Sequence, residues 1–158
     1  MKILGIDPGI ARVGWGIITV SANKTIPIDY GCFTTEKETV EEERLAAIFD
    51  FMSMLIDKHK PDRVSVEKLF FAANAKTALI VGQARGVILL AAGRRKIPIS
   101  SFTPLEVKMA LTGYGRADKT QIQRMVQSML SLSKIPTPDD TADALAIAIT
   151  ASVTKKYV

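Results

Sequence analysis

With one cysteine, Cys32, among 158 residues, the chain can form no intramolecular disulfide and offers nothing like a structural zinc cluster. A reducing interior is the expected setting. No run reaches the roughly eighteen apolar residues that a membrane span needs. The opening MKILGIDPG turns straight into a strand, without the apolar region of a signal peptide. The expectation is a cytoplasmic protein with no membrane partner. No period of about 20 to 50 residues recurs and no low-complexity tract appears, which argues against a solenoid or a linker. His59, the single histidine, has no partner in sequence.

What is present is ordinary globular composition, 47% hydrophobic and 23% charged, over a length that suits one domain spanning residues 1–158. Such a domain buries about two thirds of its unfolded surface. The 21 Lys and Arg outnumber the 16 Asp and Glu. Four of those acids, Asp7, Glu67, Asp140 and Asp143, stand in contexts that single them out. Setting them aside leaves 21 cations against 12 anions, a surface that favours a polyanion such as nucleic acid, although a bland basic surface has the same balance.

The pattern predicts a mixed α/β domain. Lys2 to Asp7, Val13 to Val20 and Thr25 to Thr34 read as a β-meander separated by turn formers. Thr39 to His59 carries Leu45, Ile48, Phe49, Met52 and Leu55 at helical spacing behind acidic Glu41 to Glu43, a first turn that suits the helix dipole. Pro61 stops it, and Arg63 to Glu67 alternates like a strand. A helix between strands implies a crossover into a parallel neighbour. If that neighbour is the first strand, Asp7 and Glu67 meet at one sheet edge. Ala72 to Arg94 reads as a helix, Lys96 to Ser101 as a short strand, and Thr103 to Leu111 and Asp118 to Leu130 as helices around a mobile glycine-containing break. Pro136 and Pro138 precede the final helix.

Each constellation has a plain structural reading beside the functional one. In Gly5-Ile-Asp7-Pro-Gly9 a carboxylate closes a strand where glycine lets backbone approach a ligand, yet such a turn with a polar cap is common. Glu67 ends a strand of buried residues and needs a cation or hydrogen bonds there; Lys68 or Arg63 would suffice. In Thr137-Pro-Asp139-Asp140-Thr-Ala-Asp143, acids three and four apart share a helix face. Helix-start grammar, with Thr137 as N-cap and Asp140 closing a capping box, explains Asp139 and Asp140 but not Asp143, which lies among alanines and leucine. Four carboxylates in a basic chain suit a divalent metal between protein and anionic substrate.

Away from the acids, Ala78, Gly82 and Gly86 form a small-residue stripe along one helix, for packing on the chain's own core or for a homodimer contact. Phe70 and Phe71 follow Glu67 and suit either the core or stacking on unpaired bases. Lys108, Arg116 and Lys119 flank Gly113-Tyr-Gly115 and could meet phosphates, solvated helix faces being the plainer reading. Arg94-Arg-Lys96 suits a helix C-terminus.

Taken together, the GIDPG strand end, the VEKLFFAANAKTALIVGQARGV block, the Lys119-Thr-Gln turn and DDTADALAIAIT resemble the RuvC-type crossover junction endodeoxyribonucleases over nearly the whole chain. The resemblance implies a ribonuclease H-like fold, a five-stranded mixed sheet flanked by helices. It also implies a homodimer, magnesium, and symmetric cutting of opposed strands in a four-way (Holliday) junction in DNA recombination and repair, alongside a branch-migration motor complex. The family's catalytic, metal-binding carboxylates fall on Asp7, Glu67, Asp140 and Asp143. Its base-contacting aromatic falls on Phe70, its DNA-contacting lysines on Lys108 and Lys119, and its dimer interface on the glycine-bearing helix. Asp139 precedes Asp140, so only the family's three-residue spacing to Asp143 selects between them, and some relatives carry a histidine there. The role of Ile10 to Trp15 is open.

The expected chemistry is phosphodiester hydrolysis with two Mg²⁺ (or Mn²⁺) ions about 4 Å apart, Asp7 bridging them. Three rivals stand beside it. An ATP-binding domain of the sugar-kinase or Hsp70 kind would need a second lobe. A non-catalytic junction-binding protein has no use for four intact carboxylates. An RNA/DNA-hybrid nuclease of the same fold is disfavoured only by the resemblance.

Overall fold

The computed structural model describes residues 1–22, 24–69 and 75–154. Strands β1 (Lys2–Asp7), β2 (Arg12–Ser21) and β3 (Lys24–Thr34) pair antiparallel in chain order. After helix α1 (Glu41–His59) the chain returns as β4 (Arg63–Glu67), parallel to β1. Helix α2 (Ala75–Gly93) leads to β5 (Ile99–Phe102), parallel to β4. The sheet order is β3-β2-β1-β4-β5, the expected meander plus two parallel strands. Helices α3 (Pro104–Thr112), α4 (Lys119–Met129) and α5 (Asp139–Val153) follow.

Alternation along the strands sorts side chains between two cores. On β1 and β4, Leu4, Ile6, Val64 and Val66 bury against Ile48, Met52, Ile56, Ala84 and Ile88 of α1 and α2. Ile3 and Phe102 join the other core with Val107, Ile122, Leu145 and Ile149 from α3, α4 and α5. The same period of two leaves Gly5 and Asp7 of β1, and Ser65 and Glu67 of β4, on the α5 side. Ser65 and Ser100 satisfy each other there through a buried hydroxyl pair at 2.7 Å.

Local grammar sets most helix ends. Thr103 and Asp118, expected as first helical residues, are N-caps of reciprocal capping boxes with Glu106 and Gln121. The glycine break between α3 and α4 is a hydrogen-bonded turn. Gly113 takes the left-handed conformation that ends α3 (φ 71°), and the Thr112 hydroxyl accepts from the Tyr114 N–H at 3.0 Å. Lys96 turns the chain with φ 55°, so β5 starts at Ile99 rather than at Lys96. Arg95 caps α2 through the Ala91 carbonyl at 3.1 Å and grips Asp57 of α1 with two bonds of 2.6 Å. His59 Nε2 lies 3.3 Å from Asp29 Oδ2, without the geometry of a hydrogen bond.

At α5 the expected grammar fails. The N-cap is Pro138, not Thr137, and no side chain caps the helix, so the expected capping box with Asp140 does not form. What holds α5 is burial: ten of its fifteen residues are buried between the sheet and the α3–α4 layer. It lies directly on β1 and β2, where three glycines make room. A Cβ on Gly5 would strike the Ala144 carbonyl oxygen and come within 2.8 Å of the Ala148 Cβ. One on Gly14 would strike the Asp140 backbone, and one on Gly16 the Leu145 side chain at 2.5 Å. Gly5 therefore admits the helix, where the sequence suggested close approach to a ligand.

Overpacking a close contact costs about 1–3 kcal/mol. Gly5→Ala is expected to destabilise by at least that amount, because the obstacle is backbone and cannot rotate away. Urea unfolding should show a lower midpoint with an unchanged m-value; a wild-type midpoint would mean that α5 does not rest on Gly5.

Candidate metal centre

Asp7 and Glu67 are the final residues of adjacent parallel strands, and Ile6 stands opposite Val66 one residue before each. Register and alternation thus bring both carboxylates to one level on the α5 side of the sheet. Asp140 and Asp143 lie in the first turns of α5, three residues apart and on one face. The seat of the helix start is Gly14, which pairs with Asp7 across β1 and β2 and lies under the Asp140 backbone. One close contact delivers both helix carboxylates to the strand end.

The electrostatics record how tightly the four acids are gathered. Burial pushes the Asp7 carboxyl up to about 8, and Glu67, Asp143 and Asp140 add to the shift while Lys119 opposes it. Burial, reinforced by Asp143, also raises Glu67. Burial raises Asp143, against the pull of Lys119. Arg63 reaches the Ala151 carbonyl at 3.4 Å.

Lys119 and Arg12 reach the cluster. Lys119 Nζ lies 3.0 Å from Asp139 and 3.6 Å from Asp143. Arg12 Nε lies 3.4 Å from Asp140. Asp139 is turned outward to Lys119 and to Gln123 at 3.1 Å, and the Lys119 hydrogen bond holds its carboxyl below the usual range. Asp139 is not among the charges that act on Asp7, whereas Asp140 is. The geometry thus separates two neighbours that spacing alone left equivalent.

A cleft of about 220 Å³ opens beside the acids, lined by Glu67, Asp143, Lys108 and Lys119 over an apolar floor that includes Val107, Ile122 and Ile147. Lys108 and Lys119 so join the carboxylates; Arg116, exposed in the turn before α4, does not line the cleft. Phe70 and Phe71 lie outside the described residues.

Residues Ala78, Gly82 and Gly86 run along a side of α2 away from its core contacts Ala84, Ile88, Ala91 and Ala92. Among the described residues a Cβ on Gly82 would press on Leu69 at 3.3 Å, a packing contact, and one on Gly86 would meet nothing within 4 Å. Leu79 and Leu90 are 66% and 54% exposed. The window Lys76–Gly93 has mean hydropathy 1.2 and is 22% buried, and by length and composition alone it could cross a membrane. Arg85 inside that window is tied to the sheet, donating to the Glu67 carbonyl at 3.0 Å and to Ser101 Oγ at 2.9 Å.

Arg85 and Arg12 are the site neighbours that sequence reasoning passed over. Arg85 carried a signal, being a lone guanidinium in an otherwise apolar helix. Arg12 carried none beyond its nearness to Asp7 along the chain.

A family model described as crossover junction endodeoxyribonuclease RuvC matches residues 3–151. The chain belongs to that family. It is 53% identical over 149 residues to the enzyme of that description from Desulfitobacterium hafniense, covering 94% of this chain and 90% of the relative. It is 49% identical to the one from Brevibacillus brevis over 158 residues, covering 100% and 95%. The structure of Thermus thermophilus RuvC in complex with Holliday junction substrate superimposes with a TM-score of 0.91 at 35% identity, covering 96% of this chain and 93% of that one. The ribonuclease H-like expectation is met by this likeness together with the strand order.

The donor set suits a hard divalent cation: carboxylate oxygens only, from three elements, around a buried acid that its neighbours disfavour as an anion. Among the described residues no three acidic, His or Cys side chains already stand as a coordination shell. Lys119 and Arg12 each hold one of the helix carboxylates.

A titration follows from Asp7. Its native value of about 8 lies above the ordinary carboxylate value of 3.8, so between those pH values the native state keeps a proton that the unfolded chain has released. Stability must therefore fall as pH rises through that window. In metal-chelated protein, Asp7→Asn is expected to raise Tm by several degrees at about pH 8 and to leave it nearly unchanged at about pH 4. Calorimetry at both values checks this, and an equal effect at the two would remove the burial argument.

Proposed function

We propose that this chain is, in a single nuclease domain, a structure-selective endonuclease that resolves four-way DNA junctions by symmetric, metal-dependent phosphodiester hydrolysis. The observation that carries the reading is the carboxylate cluster of β1, β4 and α5 opening onto a cleft flanked by Lys108 and Lys119. Family membership gives that cluster its substrate class, and the Thermus thermophilus relative is described with a Holliday junction bound.

In this reading Asp7, Glu67, Asp140 and Asp143 would hold Mg²⁺ or Mn²⁺, two ions per subunit. Bound there, the cations would ease deprotonation of the attacking water and stabilise the leaving oxygen. Lys108 and Lys119 draw the phosphate into the cleft, and Arg116 extends the cationic surface beyond it. Arg85 fixes the backbone of Glu67 and hence its reach. Val107, Ile122 and Ile147 keep the floor of the cleft dry, which strengthens every charge interaction above it. Phe70 is assigned base stacking by family likeness.

The α2 face, where no described residue comes within 4 Å of a Cβ on Gly86 and Leu79 and Leu90 are exposed, is the proposed homodimer contact. A two-fold axis through it would pair two sites as a junction pairs two strands. A branch-migration motor as partner and a cytoplasmic setting complete the reading and rest on the family.

The test incubates wild type and Asp7→Asn with a labelled four-way junction and with an RNA/DNA hybrid, with and without Mg²⁺. Paired nicks in the junction are expected, falling at least a thousandfold in the variant while junction binding persists. Cutting confined to the hybrid, or cutting without metal, would overturn the reading in favour of a hybrid nuclease or a different chemistry. Leu90→Glu is expected to sediment as a monomer and to lose paired nicks; a wild-type sedimentation profile would remove α2 from the interface.

A further inference from the structure

Arg12 has no part in the chemistry above. It opens β2 at the exit of the turn that follows Asp7. That turn is pinned from outside the site. Thr35 donates its hydroxyl to the Ile10 carbonyl at 2.6 Å and its N–H to the Ala11 carbonyl at 3.1 Å, and Arg44 donates Nε to the Thr35 hydroxyl at 2.8 Å. The backbone leading into Arg12 is therefore tied to Thr35, just past β3, and through it to Arg44 of α1.

From that fixed base the guanidinium reaches across to Asp140 at 3.4 Å, its side chain 54% exposed and that of Asp140 24% exposed. One side of the cation faces a candidate metal ligand and the other faces solvent. Lys119 stands in a similar relation to Asp143, at 3.6 Å and from α4. The carboxylates are thus held by two cations carried on unrelated elements, one at the β2 side of the site and one at the α4 side.

We propose that Arg12 is a positioning residue that holds Asp140 until a divalent cation takes that carboxylate, and that its freed guanidinium then contacts a phosphate of the bound DNA strand. The inference rests on reading the carboxylates as metal ligands and junction DNA as substrate. A guanidinium and a divalent cation compete for the same oxygens, so Arg12 raises the metal concentration needed to fill the site. The planar fork that suits a carboxylate suits a phosphate equally. Because the side chain is half exposed on a pinned backbone, the exchange needs rotation about its own bonds and no movement of the fold. Metal loading and strand capture are thereby coupled: the ion that completes the site also releases a cation toward the substrate.

The test compares wild type, Arg12→Gln and Arg12→Lys. Mn²⁺ is titrated into DNA-free protein and the free ion is counted by electron paramagnetic resonance. Arg12→Gln is expected to bind Mn²⁺ about two- to fivefold more tightly, the range set by a half-exposed ion pair, and Arg12→Lys to stay near wild type. Binding to a four-way junction, with Ca²⁺ replacing Mg²⁺, is then followed against salt. Arg12→Gln should lower the log–log salt slope by about 0.9 per Arg12 engaged, and Arg12→Lys should restore it. Weaker or unchanged Mn²⁺ binding by Arg12→Gln marks the pair as merely structural and overturns the proposal, as does an unchanged salt slope. Wild-type protein that binds Mn²⁺ and the junction while Arg12→Gln matches it on both counts overturns this proposal alone. Wild-type protein that binds neither overturns the functional reading as well.

Discussion

The contact on which the rest of the molecule depends is the seating of α5 on β1 and β2. Helices ordinarily stand off a sheet by the thickness of two side-chain layers. Here Gly5, Gly14 and Gly16 on the sheet meet Ala144, Ala148 and the start of the helix, and a single Cβ on the strands would collide with helix backbone. The approach brings the first turn of α5 to the end of β1, which is why Asp140 and Asp143 act on Asp7 at all. It also explains why α5 needs no side-chain cap: a helix buried on nearly every side is held by packing, and its outer face is covered by α3 and α4.

That seating has an electrostatic consequence. Bringing four carboxylates to the edge of a buried layer disfavours their ionised forms, most of all for Asp7. The fold offsets this with cations on independent elements, Lys119 from α4 and Arg12 from β2, each bound to a different helix carboxylate. Lys108 shares the cleft. The apolar groups below provide rigidity, and the charged groups above can change partners by rotating side chains. The other sheet face, under α1 and α2, carries no such tension: it is a conventional apolar core, with Arg85 and Arg95 tying the helices to the sheet and to one another.

The main architecture was legible because period-two alternation and turn residues are local. Strand ends at Asp7 and Glu67 and the helix before β4 followed from short stretches of chain, whereas the pairing of β4 with β1 was a condition that the structure meets. Helix-start grammar misled at Thr137, because Asp-rich first turns resemble capping boxes whether or not a cap forms. Asp139 and Asp140 could not be separated, since three and four residues before Asp143 are equally good positions on a helix face; the outward pull of Lys119 and Gln123 separates them. Gly5 was legible as a close approach, but not what approaches. Phe70 lies outside the described residues, so its assignment stands as it did from the sequence.

By itself, the sequence determined the main strands and helices, the strand ends on which two of the carboxylates stand, and the family whose motifs it carries. These depend on residue type and spacing along the chain. Only the tertiary structure decided which acids stand together, which of two adjacent aspartates faces Asp7, and that Arg12 and Lys119 hold the helix carboxylates. Those facts depend on how closely one helix lies on two strands, and that distance is set by side chains that are absent from three glycines, where no local pattern records them.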